Sequence, residues 1–169
     1  MFERVILGVD PGTRAMGLAV VASNGSAKPS VLWSSTIRTG SDEAASERLR
    51  RLAASVRGAI AEHRPETLAI ERLMWGRNTG SAMEVARASG AILVTAAECG
   101  VPVEEYVPLE VKMAVTGVGN ASKEQVRKGI GLLIGAEQVP SDADAADAVA
   151  VALCHLSQSR LRRLAKQTR

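Results

Sequence analysis

The first third of the chain alternates short aliphatic runs with turn residues. Residues 4–10 and 15–22 predict two strands, because each is an almost continuous run of Val, Ile, Leu, Ala and Gly. The Asp10-Pro11-Gly12-Thr13-Arg14 stretch between them predicts a tight turn. A third strand is expected near Val31–Arg38, so the chain opens with an antiparallel meander.

Beyond this meander, helical periodicity alternates with short strands. The pattern predicts helices over 42–62, 81–98, a short one from 108, 123–134 and 141–164, and strands over Thr67–Glu71 and Val103–Val107. Ser81-Ala82-Met83-Glu84 and Ser122-Lys123-Glu124-Gln125 each fit a capping box at a helix start. The fold class expected is therefore α/β, with a five-stranded mixed sheet: antiparallel strands first, parallel strands after, and helices on both faces.

The composition is that of an ordinary globular domain: 169 residues, 46% hydrophobic and 23% charged. No apolar run reaches the roughly 18 residues of a membrane span, so we expect no membrane partner. The two cysteines, Cys99 and Cys154, form no metal or redox motif. Together these features predict a cytoplasmic location.

The C-terminal end is basic. Residues 160–169 hold five Lys or Arg and no acid, whereas the rest of the chain has 16 basic and 18 acidic residues. We divide the chain into a single folded domain over 1–158 and a basic tail over 159–169. The tail could hold a polyanion by counterion release, or it could be a solvated helix end.

Four acids carry the candidate chemistry. Asp10 and Glu71 each close a predicted strand, where a charge cannot stay inside the core and where sites form in α/β sheets. Asp144 and Asp147 lie three apart on one face of a helix start. Each acid alone has a structural explanation, as a turn former, a strand-end charge or a charge near a helix N-terminus.

Taken together, carboxylates from three separated segments predict a hard, oxygen-rich site suited to Mg²⁺ or Mn²⁺. A two-metal site of this kind can hydrolyse a phosphodiester, with Asp10 bridging the ions and the other three acids completing their coordination. Like charges at short range repel, and a divalent cation removes that cost.

Four stretches in this order resemble the RuvC Holliday junction resolvases of the RNase H-like superfamily. They are Ile6 to Arg14, Ile70-Glu71-Arg72, Tyr106 to Lys112, and Asp144 to Ala150. The resemblance implies a homodimer that binds a four-way DNA junction and nicks two opposed strands, using two Mg²⁺ or Mn²⁺ ions per site. It also implies partnership with the RuvA–RuvB branch-migration complex, and roles in recombination and repair.

By the same resemblance, the catalytic and metal-binding acids are Asp10, Glu71, Asp144 and Asp147, and the phosphate-binding lysines are Lys112 and Lys123. The family often has an aromatic residue three positions after the second acid, for stacking on a junction base. Here that position is Met74 and the aromatic is Trp75. Either Trp75 stacks from the neighbouring position or Met74 acts as an apolar wedge. Arg77 and Asn78, in the polar loop that follows, suit a DNA phosphate.

Other functions stay open on the residues alone. The Gly8-to-Thr13 turn also fits an actin-like ATP-binding domain, although 169 residues supply only one of the two domains that such proteins close around nucleotide. A related RNase H-like nuclease acting on RNA would carry almost the same metal site. The small residues of the helix near 81–98 permit either close packing on the sheet or approach of a second copy, and the resemblance favours dimerisation there.

Overall fold

The computed structural model describes residues 4–25, 28–72 and 79–167. Its five-stranded sheet consists of β1 (Arg4–Asp10), β2 (Ala15–Ser23), β3 (Ser30–Arg38), β4 (Thr67–Glu71) and β5 (Val103–Tyr106). The strand order is β3-β2-β1-β4-β5. β1, β2 and β3 pair antiparallel, whereas β4 pairs parallel with both β1 and β5. This topology confirms the predicted mixed sheet.

The aliphatic runs form strands because the central strands are covered on both faces. Alternate residues of β1 point to opposite sides, so Ile6 enters one core while Leu7 and Val9 enter another. β2 divides in the same way, with Ala19 on the first side and Val20 on the second. A strand that contributes to two cores has no polar face, which explains its uninterrupted apolar sequence.

Helices cover the two faces of the sheet separately. They are α1 (Ala45–His63), α2 (Thr79–Glu98), α3 (Pro108–Thr116), α4 (Lys123–Ile134) and α5 (Ala143–Gln167). α1 and α2 pack on the Leu7 side through residues such as Leu52 and Ile92. α3, α4 and α5 pack on the Ile6 side, where α5 contributes an almost unbroken buried run from Ala148 to Cys154. Helices therefore lie on both faces, as expected.

One of the two predicted capping boxes is confirmed. Ser122 Oγ accepts a hydrogen bond from the Gln125 N–H at 3.2 Å, and the Gln125 side chain accepts from the Ser122 N–H at 2.8 Å. The box at Ser81 is wrong, because α2 already begins at Thr79 and Ser81 lies within its first turn. Glu84 Oε2 instead accepts from Thr13 Oγ1 at 3.0 Å.

The end of α5 is tied to the start of β1. His155 is buried, and its Nε2 lies 3.0 Å from Arg4 Nη2 while its Nδ1 lies 2.9 Å from Tyr106 Oη. Arg4 also contacts Ser159, four residues further along α5. Across the described ranges, no helix combines the length and the apolar character that crossing a membrane requires.

Candidate active site at the ends of β1 and β4

Two acids lie side by side at one edge of the sheet. β1 and β4 are parallel neighbours in which Val9 pairs with Ile70. Asp10 and Glu71 are the next residue of each strand, so both carboxylates leave the sheet at the same edge. Both residues are only partly buried, in contrast to the fully buried Val9 and Ile70 before them. The predicted convergence of strand ends is therefore present.

Glycines in the strands bring α5 close to this pair. Gly17 pairs with Asp10 across β1 and β2, and a Cβ on Gly17 would lie 1.9 Å from the backbone oxygen of Asp144. One helical turn further along, a Cβ on Gly8 would lie 2.1 Å from the oxygen of Ala148. Only glycine leaves room for a helix backbone this near to a strand. The N-terminal end of α5 therefore lies directly over the strand position opposite Asp10.

The electrostatics show that the four acids act on one another. Burial raises the pKa of Asp10 to about 8, and the charges of Glu71, Asp147 and Asp144 add to the increase, while Lys123 opposes it. β1, β4 and α5 therefore bring together the four acids that the sequence analysis identified.

Glu71 and Asp147 are shifted in the same direction. Burial raises the pKa of Glu71, and the Asp147 charge adds to the rise. Burial likewise raises the pKa of Asp147, opposed first by the charge of Lys123 and its hydrogen bond. A site in which several carboxylates resist ionisation disfavours its own negative charge, so it gains stability from any cation that enters.

The donor set fits a divalent cation. All four side chains offer carboxylate oxygens, the ligands that Mg²⁺ and Mn²⁺ prefer. A bound cation would also relieve the repulsion between the carboxylates. Among the described residues, no three His, Cys, Asp or Glu side chains already form a group arranged to hold a metal. The charges of the acids thus influence one another, although their described side chains are not arranged around a common metal position.

Two lysines border the acids. Lys123, the first residue of α4, is 85% exposed in its side chain and lies with Nζ 3.5 Å from Asp147 Oδ2. Lys112, on α3, is half-buried, and its charge opposes the rise in the pKa values of Glu71 and Asp147. Both lysines predicted to contact phosphate therefore lie within electrostatic reach of the candidate centre.

Asp142 is a supporting residue that the sequence analysis missed. Its Oδ1 accepts from the N–H groups of Asp144 at 3.1 Å and Ala145 at 3.4 Å, so it caps α5. The same carboxylate accepts from the side chains of Thr36 and Arg38 on β3. Asp142 thereby fixes the start of α5 to the sheet edge. The Pro140-Ser141-Asp142 sequence before an acidic helix start was the available signal.

The β1–β2 turn is also tied down. Thr13, two residues from the turn's proline, is buried and donates to Glu84 on α2. Arg48 of α1 and Arg87 of α2 contact the same carboxylate at 3.6 and 3.4 Å. This network joins the turn after Asp10 to both helices on the Leu7 side of the sheet.

The predicted DNA contacts Met74, Trp75, Arg77 and Asn78 lie outside the described residues. The remaining six predicted site residues all lie at the edge where β1 and β4 end or on the helices that border it. A mixed sheet of this order with helices on both faces has the RNase H-like α/β fold, and acids at adjacent strand ends and on the final helix are the arrangement expected of a nuclease with that fold.

Comparison with known proteins agrees with this class. The family model for crossover junction endodeoxyribonuclease RuvC matches residues 6–155. The crossover junction endodeoxyribonuclease RuvC of Moorella thermoacetica is 42% identical over 163 residues, covering 96% of this chain and 97% of the relative. The chain therefore belongs to the RuvC family of crossover junction endodeoxyribonucleases.

Solved structures support the same assignment. Thermus thermophilus RuvC in complex with Holliday junction substrate superposes with a TM-score of 0.88 at 38% identity, covering 94% of this chain and 96% of that one. The yeast mitochondrial Holliday junction resolvase Ydc2 is only 14% identical, with a TM-score of 0.64 and coverage of 97% and 86%, and it shows the shared fold alone.

Proposed function

We propose that this chain resolves four-way DNA junctions by hydrolysing phosphodiesters in two opposed strands, in recombination and DNA repair. The observation that carries the proposal is the group of mutually repelling acids around Asp10, whose pKa rises to about 8. Family membership and the likeness to a RuvC structure solved with a Holliday junction support the choice of substrate.

We propose that Asp10, Glu71, Asp144 and Asp147 hold two Mg²⁺ or Mn²⁺ ions. When bound, such ions supply a water activated for attack and stabilise the charge on the leaving oxygen. The protein contributes a site whose raised pKa values at Asp10, Glu71 and Asp147 favour cation entry. The carboxylates orient the reacting groups because they project from fixed strand ends and a capped helix.

Lys112 and Lys123 bind phosphates of the DNA substrate. Lys123 reaches toward Asp147 from a capped helix start, so its ammonium can stabilise negative charge on the phosphate that enters the site. Lys112 lies on the neighbouring helix α3 and adds a second positive charge. Two lysines on separate helices orient the strand as well as attract it.

We further propose that Met74, Trp75, Arg77 and Asn78 contact the junction, with Trp75 or Met74 meeting an unstacked base. The proposal rests on sequence position after Glu71 and on the scarcity of aromatics, which make up 2% of the chain. Normal junction affinity in Trp75→Ala, with reduced affinity in Met74→Ala, would assign the contact to Met74.

A homodimer through α2 is proposed from the surface of that helix. Its outward face presents Met83 and Val94 at 57% and 59% exposure, with Gly90 between them. An open groove of about 520 Å³ between α1 and α2 is lined by Gly90 and Val94 of this face and by the Arg57–Glu98 ion pair. A C₂ dimer would direct two identical sites at two symmetric strands. A monomer at micromolar concentration, measured by analytical ultracentrifugation, would contradict it.

Cytoplasmic action beside the RuvA–RuvB complex belongs to the same proposal, together with a contribution of the basic residues 159–169 to DNA affinity. The exposed Arg160 lies near the end of α5, beyond the part of the helix buried in the core.

The direct test compares substrates. We would incubate the protein and Mg²⁺ or Mn²⁺ with a labelled immobile four-way junction, a linear duplex of the same sequence and an RNA–DNA hybrid, with Asp10→Asn as the inactive control. Paired nicks in opposed strands of the junction alone support the proposal. Preferential cutting of the hybrid would contradict it and identify an RNA-directed nuclease.

A further inference from the structure

A small apolar surface lies beside the candidate centre. Leu109 and Met113 on α3 and Val118 in the following loop are 59%, 49% and 46% exposed. A Cβ placed on Gly119 would lie 2.4 Å from Leu109 Cδ1 and 3.6 Å from Met113 Sδ, so the loop backbone passes directly against both side chains. These three exposed residues therefore border one loop, and we call them the α3 apolar patch.

The patch is held in place by the loop's own hydrogen bonds. Thr116 Oγ1 lies 2.8 Å from the Lys112 oxygen and 3.0 Å from the Val118 oxygen, and it accepts from the Val118 N–H at 3.0 Å. Gly117 ends α3 with a positive φ of 74°, and its N–H donates to the Met113 oxygen. The turn after α3 is thus ordered by hydrogen bonds, and these side chains are exposed in that ordered conformation.

Positive charge surrounds the patch on the side of the acids. Lys112 lies one helical turn from Leu109, and its charge acts on Glu71 and Asp147. Beyond the loop, Lys123 reaches Asp147 itself. The two α3 residues of the patch therefore share that helix with Lys112, and Lys123 follows the patch in the sequence at the start of α4.

Apolar side chains bordered by two lysines suit DNA better than a protein partner. Three side chains are far fewer than the roughly 20–30 residues that each partner contributes to a specific protein interface. Proteins that deform DNA place Leu, Met or similar side chains against bases while cations hold the neighbouring phosphates. The centre of a four-way junction interrupts base stacking, so it exposes base and sugar faces that such side chains can cover.

We propose that Leu109, Met113 and Val118 pack against sugar and base faces of the DNA strand that crosses the carboxylate site. The inference rests on the proposed junction substrate and adds a non-ionic contact to it. The patch then helps fix the strand's position relative to Asp10, while Lys112 and Lys123 supply the charge-dependent attraction.

The test measures junction affinity across a series of salt concentrations in the cleavage-deficient Asp10→Asn protein. Adding Leu109→Gln and Met113→Gln should weaken binding about tenfold at every salt concentration, because no phosphate contact is lost. The slope of log Kd against log salt should stay the same. By contrast, Lys123→Gln should reduce that slope by about one.

Leu132→Gln is the matched control, because Leu132 is 79% exposed on α4 but lies nine residues beyond Lys123. It should change the affinity less than about twofold. Equal thermal unfolding midpoints exclude misfolding, and the single variant Met113→Gln replaces the double variant if the latter unfolds.

Unchanged affinity in the folded patch variants, beside a parent protein that binds the junction, overturns this inference alone and points to a protein partner for the patch. Failure of the Asp10→Asn parent to bind any junction removes the proposed function and this inference together. A lowered salt slope in the Leu109/Met113 variant would also contradict a purely apolar contact.

Discussion

Two aspartates near the start of α5 behave in opposite ways. Asp142 accepts hydrogen bonds from Arg38, Thr36 and the helix N–H groups, and these interactions lower its pKa to about 2. Asp10 is surrounded by other acids in a more buried position, and its pKa rises to about 8. One carboxylate has its partners within the fold, whereas the other is placed where a cation would be its best partner.

We interpret the difference as one between an acid that stabilises the fold and an acid that we propose binds metal. Asp142 stabilises the folded state at neutral pH, because its charge is paired and its oxygens accept helix hydrogen bonds. Ionised Asp10 destabilises the fold, since burial and neighbouring charges oppose its ionisation. The fold keeps this unfavourable group at a strand end, which is what a site built to bind a divalent metal requires.

The largest expected effect is that of Asp10→Asn. Cleavage of a four-way junction should fall about a thousandfold, because a central ligand is lost, while junction binding persists. The metal-free variant should also unfold at a higher temperature than the wild type at pH 8, since a buried charge is gone. Cleavage rates and calorimetric midpoints check both effects. Normal cleavage by the variant would show that Asp10 is not needed for the reaction.

Gly17→Ala should have the next largest effect. The added methyl group meets the Asp144 backbone oxygen, so the start of α5 must move away from Asp10. We expect a loss of about a hundredfold in cleavage rate, because displacements of about 1 Å in a reacting site cost this much. Single-turnover cleavage at saturating Mn²⁺ provides the measurement.

The matched control is Gly58→Ala on α1, where a Cβ would meet nothing within 4 Å. It should leave cleavage unchanged and stabilise the helix by up to about 1 kcal/mol. If both variants cut as the wild type does, close approach of α5 is not what positions Asp144.

The pH dependence of stability should distinguish the two aspartates. Between pH 3.8, its ordinary pKa, and about 8, Asp10 stays protonated in the folded protein but not in the unfolded chain. The folded state then binds more protons, so this contribution to the free energy of unfolding falls as the pH rises through that range. Thermal unfolding without metal should show this fall, and Asp10→Asn should reduce it.

Asp142→Asn should have the smallest effect. Its lowered pKa means that Asp142 adds stability above pH 3.8, and this contribution is lost as the pH falls through about 2. At pH 7 the variant should therefore unfold at a slightly lower temperature, with cleavage reduced only severalfold. The wild type and the variant should converge in stability near pH 2. An unchanged midpoint at pH 7 would show that Asp142 does not anchor α5.

Local patterns predicted most of the elements. The Thr67–Glu71 strand, the 123–134 helix and its Ser122 cap depend on nearest-neighbour chemistry, and the structure has all three. The Ser81 box is wrong because α2 already begins at Thr79, and Glu84 accepts from Thr13, which is distant in sequence. A four-residue motif cannot show that one of its side chains bonds to a residue elsewhere in the fold.

The acids of the candidate site were identifiable from strand ends and spacing, but their support was not. That Gly17 lies under Asp144 depends on which helix crosses which strand, and that Asp142 binds Arg38 depends on where β3 ends. A glycine inside an aliphatic strand was the one visible sign of close approach. Without knowing the partner, it could not be assigned a role.

Calorimetric titration with Mn²⁺ near pH 7, in two buffers of different ionisation enthalpy, tests the central claim most directly. We expect wild type and Asp142→Asn to bind Mn²⁺ and to release protons on binding, because the cation displaces the proton held by Asp10 below pH 8. Asp10→Asn should lose most of both signals. Equal Mn²⁺ affinity and proton release in Asp10→Asn and the wild type would show that Asp10 does not bind the cation.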